Sequence, residues 1–221
     1  MQVLSELFEA GRRAPLLWVW LPPAGATAEE MQTRGFAAVL RESGQTADIL
    51  FVGLPERKTL DGSAVMVLRE QVIGPARAAG YSRIWLAGIS LGGFNALHYA
   101  ARHAQDLAGL ALFAPYPGTR DVLAEIAAAS PAAYVNPPGV EDERLWWGWL
   151  AGGMRAGGRS LPVWCGCSDQ DRFAAGQRML TGLLPTRRVR WIEGAHDWPV
   201  WLRLWREFLT DFPSVAASER A

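Results

Sequence analysis

The sequence predicts an α/β fold: one mainly parallel, twisted sheet with helices on both faces. Short runs such as Pro15–Leu21 and Ala47–Gly53 are apolar at most positions, as expected of strands covered on both sides. Longer helix-period stretches separate these runs, and strands joined through helices pair in parallel. At 221 residues, half of them hydrophobic, the chain can bury a large core as a single domain over 1–221.

The first strand, Pro15–Leu21, stops at Pro22-Pro23-Ala24-Gly25, a turn enforced by two residues without a backbone N–H. A helix is expected from Thr27 to Ser43, then the strand Ala47–Gly53, then a helix from Asp61 to Ala79 kinked at Gly74-Pro75. The strand Arg83–Ala87 leads into a helix-like stretch, Gly93–Ala100, and Leu107–Phe113 is the next strand. Between Pro117 and Ser160 the pattern loosens, with one short helix over Glu141–Leu150, and this segment is expected to form a small cap or insert, 117–160. The strand Leu161–Gly166, a helix around Phe173–Leu184, the strand Arg188–Ile192 and a helix from Trp198 complete the pattern. Trp198, Trp201, Leu202, Trp205, Phe208 and Leu209 recur at helical spacing and form the core face of that last helix.

The 22 basic and 22 acidic residues cancel, so no strong field draws the chain to nucleic acid or to an anionic membrane. Met1–Glu9 lacks a positive stretch followed by an apolar core and is not expected to be a signal peptide; no apolar run reaches the ~18 residues of a membrane span. Cys165 and Cys167, the only cysteines, are too close for an unstrained disulfide and are expected to be free thiols in a cytoplasmic setting. They have no neighbouring partner ligands, so no metal is expected. No G-x-G-x-x-G follows the first strand and there is no P-loop lysine, so no cofactor is expected.

The most informative motif is Gly88-Ile89-Ser90-Leu91-Gly92, placed between a strand and a helix. A tight turn there puts Ser90 at the carboxyl end of the strand and the start of the helix, and the flanking glycines let strand and helix approach closely. A serine hydroxyl needs an adjacent base to act as a nucleophile. Of three histidines, His98 and His103 are carried away from the turn by their helix and read as ordinary helix residues, as does Asn95. His196 lies in the loop after the last strand, at the sheet edge where sites gather in such folds. The orienting carboxylate should follow the preceding strand, where Asp169 comes first and is preferred; Asp171 is the alternative, with a helix cap as its plain role. Asp197 would need a sharp chain reversal to reach its neighbour's ring.

The order Ser90, Asp169, His196 is that of the α/β-hydrolase triad, and the chain resembles a compact bacterial α/β-hydrolase of the esterase/thioesterase type from the Trp18 strand to the final helix. Gly194-Ala195-His196-Asp197-Trp198-Pro199-Val200-Trp201 resembles the Gly-x-His-x-Trp-x-x-Trp stretch of esterase D-like families. The resemblance implies that Ser90 attacks an acyl carbonyl of a small ester or thioester, with His196 as proton carrier and Asp169 orienting it. It also implies two oxyanion donors. One is the N–H of Leu91; the other comes from the loop after the first strand, where Pro22-Pro23 replaces the His-Gly of many relatives and leaves Ala24 as donor. Tyr116, Trp146, Trp147 and Trp149 are expected to line an apolar acyl or alcohol pocket under the cap. Two other functions share these residues: a non-catalytic binding protein on the same scaffold, favoured by Pro22-Pro23, and a lyase using the same triad.

Overall fold

The computed structural model describes residues 1–54, 63–156 and 159–217. In chain order the elements are β1 Gln2–Glu6, β2 Leu16–Leu21, α1 Ala28–Thr33, α2 Phe36–Glu42, β3 Ala47–Gly53, α3 Ser63–Leu68, α4 Gly74–Ala78, β4 Arg83–Ile89 and α5 Leu91–His103. They continue with β5 Gly109–Phe113, α6 Arg120–Ala129, α7 Arg144–Ala151, the short pair β6 Arg155–Ala156 and β7 Arg159–Ser160, β8 Val163–Ser168, α8 Ala174–Thr181, β9 Val189–Ile192 and α9 Trp198–Ala217. The main sheet has seven strands in the order β1-β3-β2-β4-β5-β8-β9. All neighbours pair in parallel except β1, which runs antiparallel along the outer edge of β3.

The alternation of side chains along β2 divides the core between the two faces of the sheet. Leu17, Val19 and Leu21 join Leu86, Leu110, Leu112 and the helices α3 to α5 on one side. Trp18 and Trp20 join Trp85, Phe113, Trp164 and the apolar face of α9 on the other. Trp18 there meets Trp85, Trp205, Phe208 and Phe212 at ring-centroid distances of 5.1–5.4 Å. Trp205 donates its indole N–H to the Phe36 carbonyl at 3.0 Å, fastening α9 to the start of α2. Of the α9 face expected from helical spacing, Trp201, Trp205, Phe208 and Leu209 are buried against this side of the sheet, while Trp198 and Leu202 are only partly buried.

Three of the helical segments differ from expectation. The helix expected over Thr27–Ser43 is two helices, broken at Gly35, whose φ of +89° lies in the left-handed region that glycine tolerates. The helix expected over Asp61–Ala79 is described from Ser63, its first two residues lying outside the described residues; it passes through a π turn at Arg69–Ile73 before Pro75. Proline has no N–H to donate and crowds the preceding turn, and the wider turn accommodates both. Within 117–160, α6 is a regular helix of ten residues that the pattern did not disclose. Among the described residues no helix is long and apolar enough to cross a membrane.

Cys165 and Cys167 are buried free thiols with their sulfurs 3.7 Å apart. His98 is buried on α5, where its Nδ1 lies 3.1 Å from Arg102 and burial, aided by that guanidinium, pushes its pKa down to about 3. It is therefore a neutral core residue at physiological pH.

Candidate active site

Ser90 joins β4 to α5 with φ +50° and ψ −113°, a conformation that is costly for a residue with a side chain. Three hydrogen bonds hold the strain in place: its N–H donates to Phe113 O at 3.0 Å, and its carbonyl accepts from Phe94 N at 3.1 Å and Tyr116 N at 2.9 Å. The flanking glycines are required by contact. A Cβ on Gly88 would lie 2.4 Å from the Gly92 carbonyl, and one on Gly92 would lie 2.2 Å from the Leu21 carbonyl oxygen. The expected turn is present, with its hydroxyl at the N-terminal end of α5.

His196 Nε2 lies 2.9 Å from Ser90 Oγ, and His196 Nδ1 lies 2.6 Å from Asp171 Oδ2. The carboxylate can only accept, so Nδ1 carries the proton and Nε2 is left to accept from the serine hydroxyl. Asp171 also accepts from Phe173 N at 2.8 Å and from Gln177 Nε2 at 3.1 Å. Burial alone would raise its pKa, but the hydrogen bonds from His196, Phe173 and Gln177 outweigh it and hold the carboxyl below the usual range. The imidazole is wedged edge-on between Phe173 and Trp201, with ring centroids 5.2 and 5.0 Å away.

The carboxylate against His196 is therefore Asp171 and not Asp169, which corrects the sequence expectation. Strand β8 runs on to Ser168, two residues further than expected, and the Asp169 N–H still donates to Ile192 O of β9 at 3.1 Å. The Asp169 side chain turns to accept from Gly194 N at 3.2 Å, tying the loop after β8 to the loop that carries His196. Only after this turn does the chain aim a carboxylate at the ring. Asp171 does not cap the first N–H groups of α8; its bond to Phe173 N closes the turn just before that helix. Gln177 was not singled out in the sequence; an amide on an amphipathic helix carries no mark of the site it supports.

Above the serine, the loop after β2 bends through a turn in which Ala26 N donates to Pro23 O at 3.2 Å and Gly25 takes φ +77°. Among the described residues neither the Leu91 nor the Ala24 N–H donates to a protein acceptor. Both residues line one cavity of about 600 Å³, together with Met1, Pro22, Leu54 and Asn95. Ala24 also lines a groove of about 260 Å³ that contains Ser90, His196, Trp198 and Trp201. The loop Pro23–Ala26 thus lines both hollows, and Ser90 opens into the smaller one.

Neither hollow is lined by Tyr116, Trp146, Trp147 or Trp149. Trp146 and Trp147 are fully buried and stack on each other at 5.0 Å. Trp146 meets Phe94 and His98 of α5 edge-on, and Trp147 donates its indole N–H to Pro117 O at 3.1 Å. They are core residues that seat α7 on α5, which corrects their expected place in a pocket. Trp149 is half-buried against the same core, and Tyr116 is half-buried between Phe94 and Phe173. Trp146→Ala is expected to lower the unfolding free energy by ~3–5 kcal/mol in a urea titration, as deletion of a buried tryptophan does. A loss below ~1 kcal/mol would show that this ring is not packed as a core residue.

No family model and no curated protein matches the chain. Solved structures do. A fluorophosphonate-binding serine hydrolase F (FphF) of Staphylococcus aureus aligns over 97% of this chain and 91% of its own, with a TM-score of 0.69 and 11% identity. Est1E from Butyrivibrio proteoclasticus aligns over 98% of this chain and 94% of its own, with a TM-score of 0.65 and 16% identity. A monoacylglycerol lipase of Paleococcus ferrophilus aligns over 95% and 98%, with a TM-score of 0.60 and 15% identity. At such identities the likeness bears on architecture, and the mainly parallel sheet with a serine turn after its central strand agrees with it: the chain has the α/β-hydrolase fold.

Proposed function

We propose that the protein is a serine hydrolase that cleaves a small carboxylic ester, or a thioester, through an acyl-enzyme on Ser90. The observation that carries this is the continuous hydrogen-bond chain from Ser90 Oγ through His196 to Asp171, assembled from three separate loops. In the proposed reaction His196 Nε2 takes the hydroxyl proton as Ser90 Oγ bonds to the acyl carbon. The resulting oxyanion is met by the amides of Leu91 and Ala24, each donor of this kind contributing ~2.7–4 kcal/mol in the transition state. The imidazolium then passes its proton to the leaving oxygen or sulfur, and the carbonyl re-forms as that bond breaks. Water, activated by the same imidazole, repeats the sequence on the acyl-enzyme and frees the acid. Asp171 keeps the proton on Nδ1 throughout and stabilises the charged ring.

The names of the structural neighbours accord with this reading: one is a fluorophosphonate-binding serine hydrolase, and Est1E is described with ferulic acid bound. Against the role of non-catalytic binder, suggested by Pro22-Pro23, stands the hydrogen-bond chain from Ser90 through His196 to Asp171, and Ala24 lines the groove that holds Ser90 and His196. A fluorophosphonate probe is expected to modify Ser90, read by mass spectrometry of the labelled peptide. A panel of p-nitrophenyl esters and acyl thioesters of rising chain length is expected to show turnover and to separate ester from thioester preference. Absence of both labelling and turnover in folded protein would reject the proposal.

A further inference from the structure

We infer that Arg172 selects substrates whose leaving half carries an anionic oxyacid group, a carboxylate or a phosphate. The inference rests on the hydrolase reading above. His196 must deliver its proton to the leaving atom, so that half of the substrate departs on the imidazole side of Ser90. The hollow on that side is the groove of about 260 Å³, whose walls include His196, Trp198, Trp201, Glu30 and Arg172. Its two charged residues are not equivalent. Glu30 is neutralised by Arg34 at 2.5 Å, and Arg34 lies over the Trp198 ring at 4.6 Å. Arg172 is exposed and has no carboxylate within ion-pair reach among the described residues.

This cation is also held in place. It follows Asp171 directly, and its guanidinium lies 4.8 Å from the centre of the Phe173 ring, which itself packs edge-on against His196. The loop beneath it is pinned by the Phe173 N–H on Asp171. Arg172 therefore sits at a set bearing from the imidazole, with part of its side-chain freedom already removed. The chain has no net charge, so no long-range field favours anions, and discrimination falls to this local contact. A planar guanidinium offers paired donors that suit carboxylate and phosphate oxygens, while a neutral leaving half gives it nothing it lacks in water.

The test compares three aryl acetates in the intact protein: meta-acetoxybenzoate, meta-acetoxyphenyl phosphate and the neutral meta-acetoxybenzamide. Each kcat/KM is divided by the substrate's hydroxide-catalysed rate. At least one anionic substrate should exceed the amide by about fivefold, the upper end for one exposed ion pair. Which anion gains identifies the oxyacid. The ratio should fall to about one in Arg172→Gln, stay partly raised in Arg172→Lys, invert in Arg172→Glu and shrink with added salt. A residue that only packs on Phe173 would alter all three substrates together and leave the ratio unmoved. Equal normalised values in the unaltered protein, or a preference that survives Arg172→Gln, would overturn the inference while leaving the hydrolase reading intact. Failure of the neutral acetate to turn over, together with no fluorophosphonate labelling, would remove the hydrolase reading and this inference with it.

Discussion

Ser90→Ala is expected to lower kcat for p-nitrophenyl acetate by about 10⁶-fold, the scale on which a triad loses its nucleophile. The estimate depends on the bond between Ser90 Oγ and His196 Nε2 at 2.9 Å, with no second hydroxyl taking part in that chain among the described residues. His196→Ala should cost about as much, and the double variant little more, because the two groups act as a unit and their losses do not add. Some activity above that of water should remain from the amides of Leu91 and Ala24. The fold should tolerate the change: Ala bears the same φ of +50° as Ser, and the backbone bonds to Phe113, Phe94 and Tyr116 are kept. Circular dichroism melting beside the kinetics separates a chemical loss from unfolding. A well-folded variant that retains more than about a tenth of kcat would rule out an acyl-enzyme on this oxygen.

The serine turn was legible because its demands are local. Gly88 and Gly92 sit where a Cβ would strike the backbone, and that requirement can be read from five consecutive residues. His196 was legible from position alone, as the only histidine beyond the carboxyl end of a strand. Strand β1 was not, because Gln2–Glu6 is mostly exposed and becomes a strand only by pairing along the edge of β3. The tryptophans of α7 misled for a related reason: three large rings suit either a pocket wall or a core, and the seating of α7 on α5 decides between them. Register decided the acid. Asp169 and Asp171 differ by two residues, and which faces the ring follows from β8 pairing with β9 as far as Ser168 and Ile192, a tertiary fact with no trace in local composition.

That two-residue difference makes the sharpest comparison. Asp171→Asn is expected to lower kcat by about 10⁴-fold, and Asp169→Asn by less than tenfold. An amide at 171 can still bond to His196, but its NH₂ competes for the place of the carboxylate, so the ring can settle with its proton on the wrong nitrogen; the negative charge that stabilises the imidazolium is also gone. At 169 the amide oxygen can still accept from Gly194 N, so the tie between the two loops persists. The acid limb of stability provides a second reading. The Asp171 carboxyl is held below its ordinary range by His196, Phe173 and Gln177 against the opposing pull of burial, so its ionised form stabilises the fold. That contribution is complete above the unfolded carboxylate value of ~3.9 and is lost as pH falls through the lower folded value. The stability gap between the unaltered protein and Asp171→Asn should therefore be constant near neutrality and narrow below about pH 4 in urea titrations. A large rate loss in Asp169→Asn, with Asp171→Asn nearly unaffected, would return the orienting role to the residue that comes first after the strand.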